Sequence, residues 1–542
     1  MHLTGRHNLK LAVQLILAWL FLNLLINMDY PAPSFPSPEL LKPSLEVWAL
    51  LLALSILSVF KAADSVWIYV PMILAVVFLR LFRLGDTLMP AYFSRPFNLY
   101  IDSGYVPDLI HLLYHSQSLP RLMFYVLAAA MLLSALLWGI HKSLRLALRA
   151  FSAQRLRRLF WGLTALQAAW VGLYLYGIAP FGANFPAATC SPRLMEEAIF
   201  ILKIGEIKRE GLAAVQMAGS RIQPFTAPLA GLGKSDVYLI FIESYGETLF
   251  ADTAHAREFA PTIRAFETAL TRSGFTACSR FLQSPTFGGA SWLGFGTLES
   301  GQWLPDQLRY NFLLNSRVAP LAEYFNRAGY RTISVMPGTT MPWPEGKYFE
   351  YTRTYYAKDL EYRGPPFAWS PMPDQYTLHF IYTREIAQRR EPLFIRYMLT
   401  SSHAPFNTQP PYVQNWDEIG HGEIYQRIRP VTFSSDWPDL KEGGRAYETA
   451  ICYDFTVLQD YLCSFVKDGA LIIILGDHQP VVQITGPGAS RLVPIHVISR
   501  NPALIDPFIR MGYAPGMIPS HAPSVKGMDD FLADFLTAFS TP

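Results

Sequence analysis

The segment LIIILGDHQP carries the most chemically pointed residues of this sequence. A five-residue aliphatic run, 471–475, is followed after one glycine by Asp477 and His478. Such a run suits a buried strand, and a strand of this kind ordinarily ends in a plain turn. Three further β-rich runs lead to capable residues: Glu243 in FIESYG, the 337–345 loop, and His403 in SSHAPF. A glutamate, an aspartate and an imidazole form an oxygen and nitrogen donor set suited to Zn²⁺ or Mn²⁺, with no cysteine needed. Three protein ligands leave one position open, where a nucleophile can be activated. Taken singly, each residue has a plainer reading, since a glutamate after a strand is usually solvated and a loop histidine usually structural. Together, at successive strand ends, Glu243, Asp477 and His478 are expected to hold one divalent metal.

The expected nucleophile lies in QSPTFGGASWLGFGTLESG, where Thr286 precedes a glycine pair and then an apolar, helix-like run. Glycines permit close backbone approach, and a helix N-terminus offers unpaired N–H groups to a phosphoryl oxygen. A free threonine is a poor nucleophile; contact with a metal favours its alkoxide, so Thr286 is expected to serve as both metal ligand and nucleophile. On this segment alone the favoured reading of Thr286 is a turn or N-cap residue.

The elements that must position these groups follow from the hydrophobic pattern. From residue 235 onward, short apolar runs alternate with amphipathic stretches, which predicts an α/β domain with a mainly parallel sheet. Strands are expected at 237–242, 332–336, 393–399, 471–475 and 493–498, and helices at 321–328 and 446–467. In open α/β sheets ligands bind outside the carboxyl ends of the strands, where the candidate residues fall.

The first third is of another kind. Five apolar stretches occur at 9–28, 47–60, 66–82, 122–140 and 159–178. A spanning helix needs about 20 residues, so the second must borrow flanking residues. Lys142, Arg145, Arg149, Arg155, Arg157 and Arg158 mark the loop between the fourth and fifth as cytoplasmic. Five crossings then place everything after Ile178 outside, whereas Arg80 and Arg83, at the outer end of the third, run against the rule, and Arg80 is expected to snorkel. The first stretch reads as an uncleaved anchor, because no small-residue cleavage site follows it.

Composition agrees with this division. Hydrophobic residues make up 51% and charged residues 16% of the 542, and the net charge of +3 is too small to suggest nucleic-acid binding. All four cysteines lie in the part placed outside. Cys452 and Cys463 fall on one expected helix, about 16 Å apart at ~1.5 Å per residue, too far to bridge each other. The expected organisation is a five-helix transmembrane domain at 1–180, a juxtamembrane connector at 181–234 and a catalytic domain at 235–542.

The order of these pieces resembles the membrane branch of the alkaline phosphatase and sulfatase superfamily, which contains lipoteichoic acid synthase, phosphoethanolamine transferases and phosphoglycerol transferases. The resemblance implies a sulfatase-like fold, with Glu243, Thr286, Asp477 and His478 at the metal, Thr286 as covalent nucleophile, and His403, Trp343 and Lys347 toward substrate. It implies a bacterial inner-membrane enzyme that moves phosphoethanolamine or phosphoglycerol from a phospholipid donor to an envelope glycan, glycolipid or lipid acceptor. The alternatives are a phosphodiesterase or phosphatase of the same fold that releases the group to water, and a non-catalytic membrane scaffold or sensor. The chain departs from the branch in two places. Gln479-Pro480 stands where several transferases carry a further histidine, and no arginine follows Trp343 two residues on, which leaves Lys347 to supply that charge. Cys278-Ser279-Arg280 lacks the spacing that sulfatases need to make formylglycine, so sulfate ester hydrolysis is not expected.

Overall fold

The computed structural model describes residues 2–29, 38–60, 65–107, 110, 119–175, 190–219, 228–251, 253–435, 440–521 and 524–540. The chain divides into two compact units, one of residues 1–91 and 95–204, the other of 92–94 and 205–542.

The first unit is helical. It contains α1 (His2–Asn27), α2 (Leu45–Leu57), most of α3 (Val66–Phe93), α4 (Leu119–Phe151), α5 (Gln154–Leu175) and the start of α6 (Ser191–Gly219). Among the described residues three helices are long and apolar enough to cross a membrane: Asn8–Asn27, Val66–Phe93 and Leu119–Phe151. The second expected crossing is the 13-residue α2, about 20 Å long, short of the ~30 Å of a hydrocarbon core. The fifth falls on α5, and its end lies outside the described residues. Leu127, Leu132 and Leu166 are exposed, as lipid-facing leucines would be, while Leu22, Leu51 and Leu144 are buried between helices. The Asn23 and Asn27 amides donate to the carbonyl of Lys42, at 2.9 and 2.7 Å, which secures the turn before α2. Arg80 donates to the Met28 carbonyl and Arg83 pairs with Asp29, so both charges at the end of the third stretch are matched.

The second unit is a layered α/β structure. The strands of its main sheet are β1 (Val237–Ile242), β2 (Thr276–Gln283), β3 (Arg331–Met336), β4 (Arg353–Tyr356), β5 (Leu393–Met398), β6 (Leu471–Gly476), β7 (Leu492–Ser499) and the two-residue β8 (Ala514–Pro515) and β9 (Lys526–Gly527). They run in the order β8-β2-β7-β6-β1-β5-β3-β4, with β9 also on β2. Strands β6, β1, β5, β3 and β4 are mutually parallel, whereas β7 is antiparallel to β6, and β2 to β7. The sheet is therefore mixed, with five parallel and three antiparallel pairings, where the sequence suggested a mainly parallel one. Two longer strands were not expected from the sequence, β2 and β4; β2 is TACSRFLQ, whose polar and charged residues interrupt the apolar signal. Arg280 within it is nevertheless buried, lying over the Tyr513 ring.

Alternate residues of β1 serve the two faces, as the twofold strand period requires. Tyr238, Ile240 and Ile242 join the core under α7 (Ala254–Arg272) and α10 (Gly443–Phe465), and Phe241 meets Phe295 of α8 (Ser291–Ser300) on the other face. All six residues of β1 are buried, as in a central strand covered on both sides. Cys278, Cys452 and Cys463 are free thiols.

Candidate metal centre

Parallel register brings the first ligands together. Ile242 at the end of β1 pairs with Gly476 at the end of β6, so the residues that follow, Glu243 and Asp477, leave adjacent strands side by side. Gly476 has to be a glycine here, since a Cβ would stand 1.8 Å from the Tyr245 carbonyl oxygen. One ligand atom from each of Glu243, Asp477 and His478 lies within 4.8 Å of the others, and all three residues are buried. His478 Nε2 is 3.3 Å from a Glu243 oxygen and 3.5 Å from Asp477 Oδ2.

The surrounding bonds orient these atoms. His478 Nδ1 lies 2.8 Å from the Gln479 carbonyl, which can only accept, so Nδ1 carries a proton and Nε2 faces the cluster, where it would ligate a cation by giving up its own proton. Asp477 Oδ1 accepts from the Ser244 and His478 amides, at 2.9 and 2.7 Å. Its Oδ2 is buried with no hydrogen-bond donor among the described residues. An orphaned carboxylate oxygen, a second carboxylate and an inward imidazole nitrogen fit a divalent cation, which would satisfy all three at once.

The electrostatics say the same. Burial pushes Asp477 up to about 7, with Glu243 adding to the rise and His478 opposing it. Burial would lower His478, but Asp477 and Glu243 overcome it and hold the imidazole up at about 9. Burial likewise opposes ionisation of Glu243, yet His478 and then His403 keep its carboxyl below the ordinary range. The cluster demands positive charge at its centre.

The hydroxyl on this cluster belongs to Ser291. Its Oγ is 3.1 Å from Glu243 Oε2 and 3.3 Å from His478 Nε2. Thr286, expected in this place, instead donates to the Gly289 carbonyl at 2.6 Å. The reason is where the helix begins. Gly288, Gly289 and Ala290 all have positive φ (68°, 151° and 60°), which delays α8 until Ser291. The Gly288 amide donates to the Gln479 carbonyl at 3.0 Å, and the Ser284 hydroxyl to the Asp477 carbonyl at 2.7 Å, so the turn is sewn to the metal-ligand loop. At Gly294 a Cβ would stand 2.9 Å from the Asp477 carbonyl oxygen, so α8 approaches that loop closely because of the glycine. A serine at the first position of the run SWLGFGTL was the available signal.

The other expected residues are placed differently from one another. His403 follows β5 on a loop, half-buried, with its ring stacked on Trp369 (5.6 Å, 15°) and its Nδ1 2.6 Å from the Ala404 carbonyl. Trp343 stacks on Phe349 and meets Phe295 of α8 edge-on, in an aromatic enclosure around Arg396. Arg396 of β5 and Glu299 of α8 form a fully buried ion pair at 2.5 Å, which ties the helix that begins with Ser291 to the sheet. The structure does not bring Lys347 to the cluster. It is exposed and lines, with Glu345, Arg317 and Glu323, a cavity of about 560 Å³. Its side chain points there because Pro344–Phe349 forms a 3₁₀ turn that commits Phe349 to the core and leaves the lysine outside.

No protein-family model and no curated protein sequence matches the chain. Among solved structures it is similar to the lipoteichoic acid synthase LtaP from Listeria monocytogenes, at 11% identity and a TM-score of 0.37, covering 59% of this chain and 81% of that one. It is similar to a protein in the alkaline phosphatase superfamily from Vibrio parahaemolyticus (12%, TM-score 0.35, 61% and 75%). It is also similar to the C-terminal periplasmic domain of EptC from Escherichia coli, in complex with Zn (15%, TM-score 0.35, 51% and 77%).

Proposed function

We propose that this chain is a membrane-anchored, metal-dependent phosphoryl-alcohol transferase that works through a covalent phosphoserine on Ser291. The observation that carries the reading is the Ser291 hydroxyl, set at a helix N-terminus and in contact with both Glu243 and His478. One divalent metal, Mn²⁺ or Zn²⁺, held by Glu243, Asp477 and His478 would supply positive charge and acidify a hydroxyl beside it. Ser291 attacks the phosphorus of a phospholipid head group. The Ser291 Oγ–P bond forms, the P–O bond to diacylglycerol breaks, and the diacylglycerol oxygen leaves with the proton that Ser291 gave up. The first N–H groups of α8 face the phosphoryl oxygens. An acceptor hydroxyl then attacks the same phosphorus and restores the serine.

Thr286, to which the sequence pointed as nucleophile and ligand, holds the turn before α8 through its bond to Gly289. His403, backed by Trp369, is assigned to the diester, and Trp343 supports α8. The head group, phosphoethanolamine or phosphoglycerol, and the acceptor, an envelope glycan, glycolipid or lipid, follow from the resemblance in sequence. The membrane helices would confine the site at the outer face of a bacterial inner membrane, where donor lipid is concentrated.

The test is product analysis with full-length protein in vesicles containing phospholipid labelled in the head group, with and without envelope glycan. Diacylglycerol together with labelled glycan is the expected result. Labelled free phosphoethanolamine or phosphoglycerol in both arms would make the protein a hydrolase, and no product with either metal would remove the catalytic reading.

A further inference from the structure

Behind the metal ligands lie two carboxylates that the chemistry above does not use. Asp374 opens α9 (Asp374–Ile381), and Asp454 sits in the middle of α10; both are fully buried. Their surroundings differ sharply. Asp374 accepts the Thr400 amide on both oxygens, at 2.9 and 3.0 Å, and the Ser401 amide at 2.7 Å, while its own amide donates to Ser401 Oγ at 3.0 Å. Neither oxygen of Asp454 finds a donor among the described residues. Its neighbours are Asp374 and Ser402. Ser402 spends its hydroxyl proton on the Glu243 carbonyl at 2.8 Å, so it offers Asp454 only a lone pair.

A buried carboxylate facing acceptors alone is costly, and the cost disappears if it carries a proton and becomes the donor. Asp374, held by three N–H···O contacts, is the member suited to keep the charge. We infer that Asp454 holds a proton that it shares with Asp374, and that this acid–carboxylate pair positions the 400–403 loop, and with it His403, against the strand end that bears Glu243. Burial, and then the Asp374 charge, push Asp454 well above the ordinary carboxyl range. Burial raises Asp374 too, but the amides of Ser401 and Thr400 oppose the rise, which agrees with the assignment. The loop contacts run in one line: Asp454 to Asp374, Asp374 to Thr400 and Ser401, Ser402 to the Glu243 backbone, and His403 next in the chain. These two aspartates are positioning residues, and their effect on turnover rests on the transferase reading, whereas the shared proton does not.

The experiment uses the full chain in detergent with Mn²⁺ or Zn²⁺, comparing Asp454→Asn, Asp454→Ala and Asp374→Asn with the unaltered protein. Infrared difference spectra at neutral pH should show a protonated, deuterium-sensitive carboxyl band that Asp454→Asn removes. Hydrogen exchange of the 398–407 peptide should rise about tenfold in Asp374→Asn and in Asp454→Ala, with peptides from β1 unchanged. In Asp454→Asn, where an amide N–H replaces the acid proton, exchange should stay near its original rate. With bis(4-nitrophenyl) phosphate as substrate, kcat should fall in Asp374→Asn and Asp454→Ala at constant metal content, and Asp454→Asn should rescue it. Absence of the acid band, or a loop that loosens as much in Asp454→Asn as in Asp454→Ala, overturns the inference. If the unaltered protein turns over no diester, the transferase reading fails, and the infrared and exchange results still decide the pair.

Discussion

Ser291 Oγ stands 3.3 Å from Nε2 of His478, the one nitrogen of that ring free to face the cluster. A primary alcohol, an imidazole nitrogen and two carboxylates meet at the N-terminus of α8. The most direct consequence concerns which hydroxyl is essential. Ser291→Ala should lower turnover by about a thousandfold or more, since it removes the attacking atom, while Thr286→Ala should lose far less. Brief exposure to donor lipid, acid quench and mass spectrometry should place the phosphoryl group on Ser291. A modified peptide carrying the group on Thr286 would return the nucleophile to that residue.

Metal content should follow the ligands and not the nucleophile. Asp477→Asn and His478→Ala should lose bound metal together with activity, and Ser291→Ala should retain it. Elemental analysis of the purified protein should find about one divalent transition metal per chain, matching the one donor set among the described residues. Two equivalents would draw His403 into a second site.

Stability should fall on mild acidification because of His496. Its ring is buried between the Ser279 and Tyr245 hydroxyls, and burial pushes its pKa down to about 3. The unfolded chain binds a proton below the ordinary histidine value of about 6.5 and the folded chain does not, so this contribution is complete above that pH. It shrinks by about 1.4 kcal/mol for each pH unit between roughly 6.5 and 3. His496→Gln should flatten this part of the profile, as thermal unfolding measured across roughly pH 4 to 8 would reveal. An unchanged slope would assign the acid sensitivity elsewhere.

Glu299→Ala should destabilise the second unit by about 3–5 kcal/mol, because Arg396 would remain charged and uncompensated inside an aromatic enclosure. Replacing both residues together, Arg396→Met with Glu299→Leu, should recover much of the loss. A single substitution with no effect on the unfolding temperature would mean that the pair is not what anchors α8.

Reporter fusions test the side of the membrane. Alkaline phosphatase joined just before Ser235 should be active, and a fluorescent protein that matures only in the cytoplasm should stay dark, if the 142–158 loop lies inside. The opposite pattern would remove the site from its donor lipid.

Much of this architecture was legible in the residue order. The runs 237–242, 393–399 and 471–475 matched observed strands to within a residue, since strands buried on both faces are near-continuous apolar runs between polar turns, broken in these three only by Arg396. Glu243, Asp477 and His478 were legible for the same reason: each stands just past such a run, where a side chain has no packing task. Strand β2 was not legible, because pairing with β7 sustains a segment whose own pattern is weak.

What the sequence alone determined, then, is which residues end buried strands and which segments are apolar enough for lipid, both properties of neighbouring residues. Only the tertiary structure decided that β6 lies beside β1, which brings together residues more than two hundred positions apart, because strand order is set by packing across the whole sheet. It also placed the Ser291 hydroxyl, five residues after Thr286, against Glu243 and His478. Three consecutive residues with positive φ, held by bonds to the 477–479 loop, turn Thr286 toward Gly289 and start the helix at Ser291. No local propensity contains that choice, since the contacts that impose it come from a distant strand end.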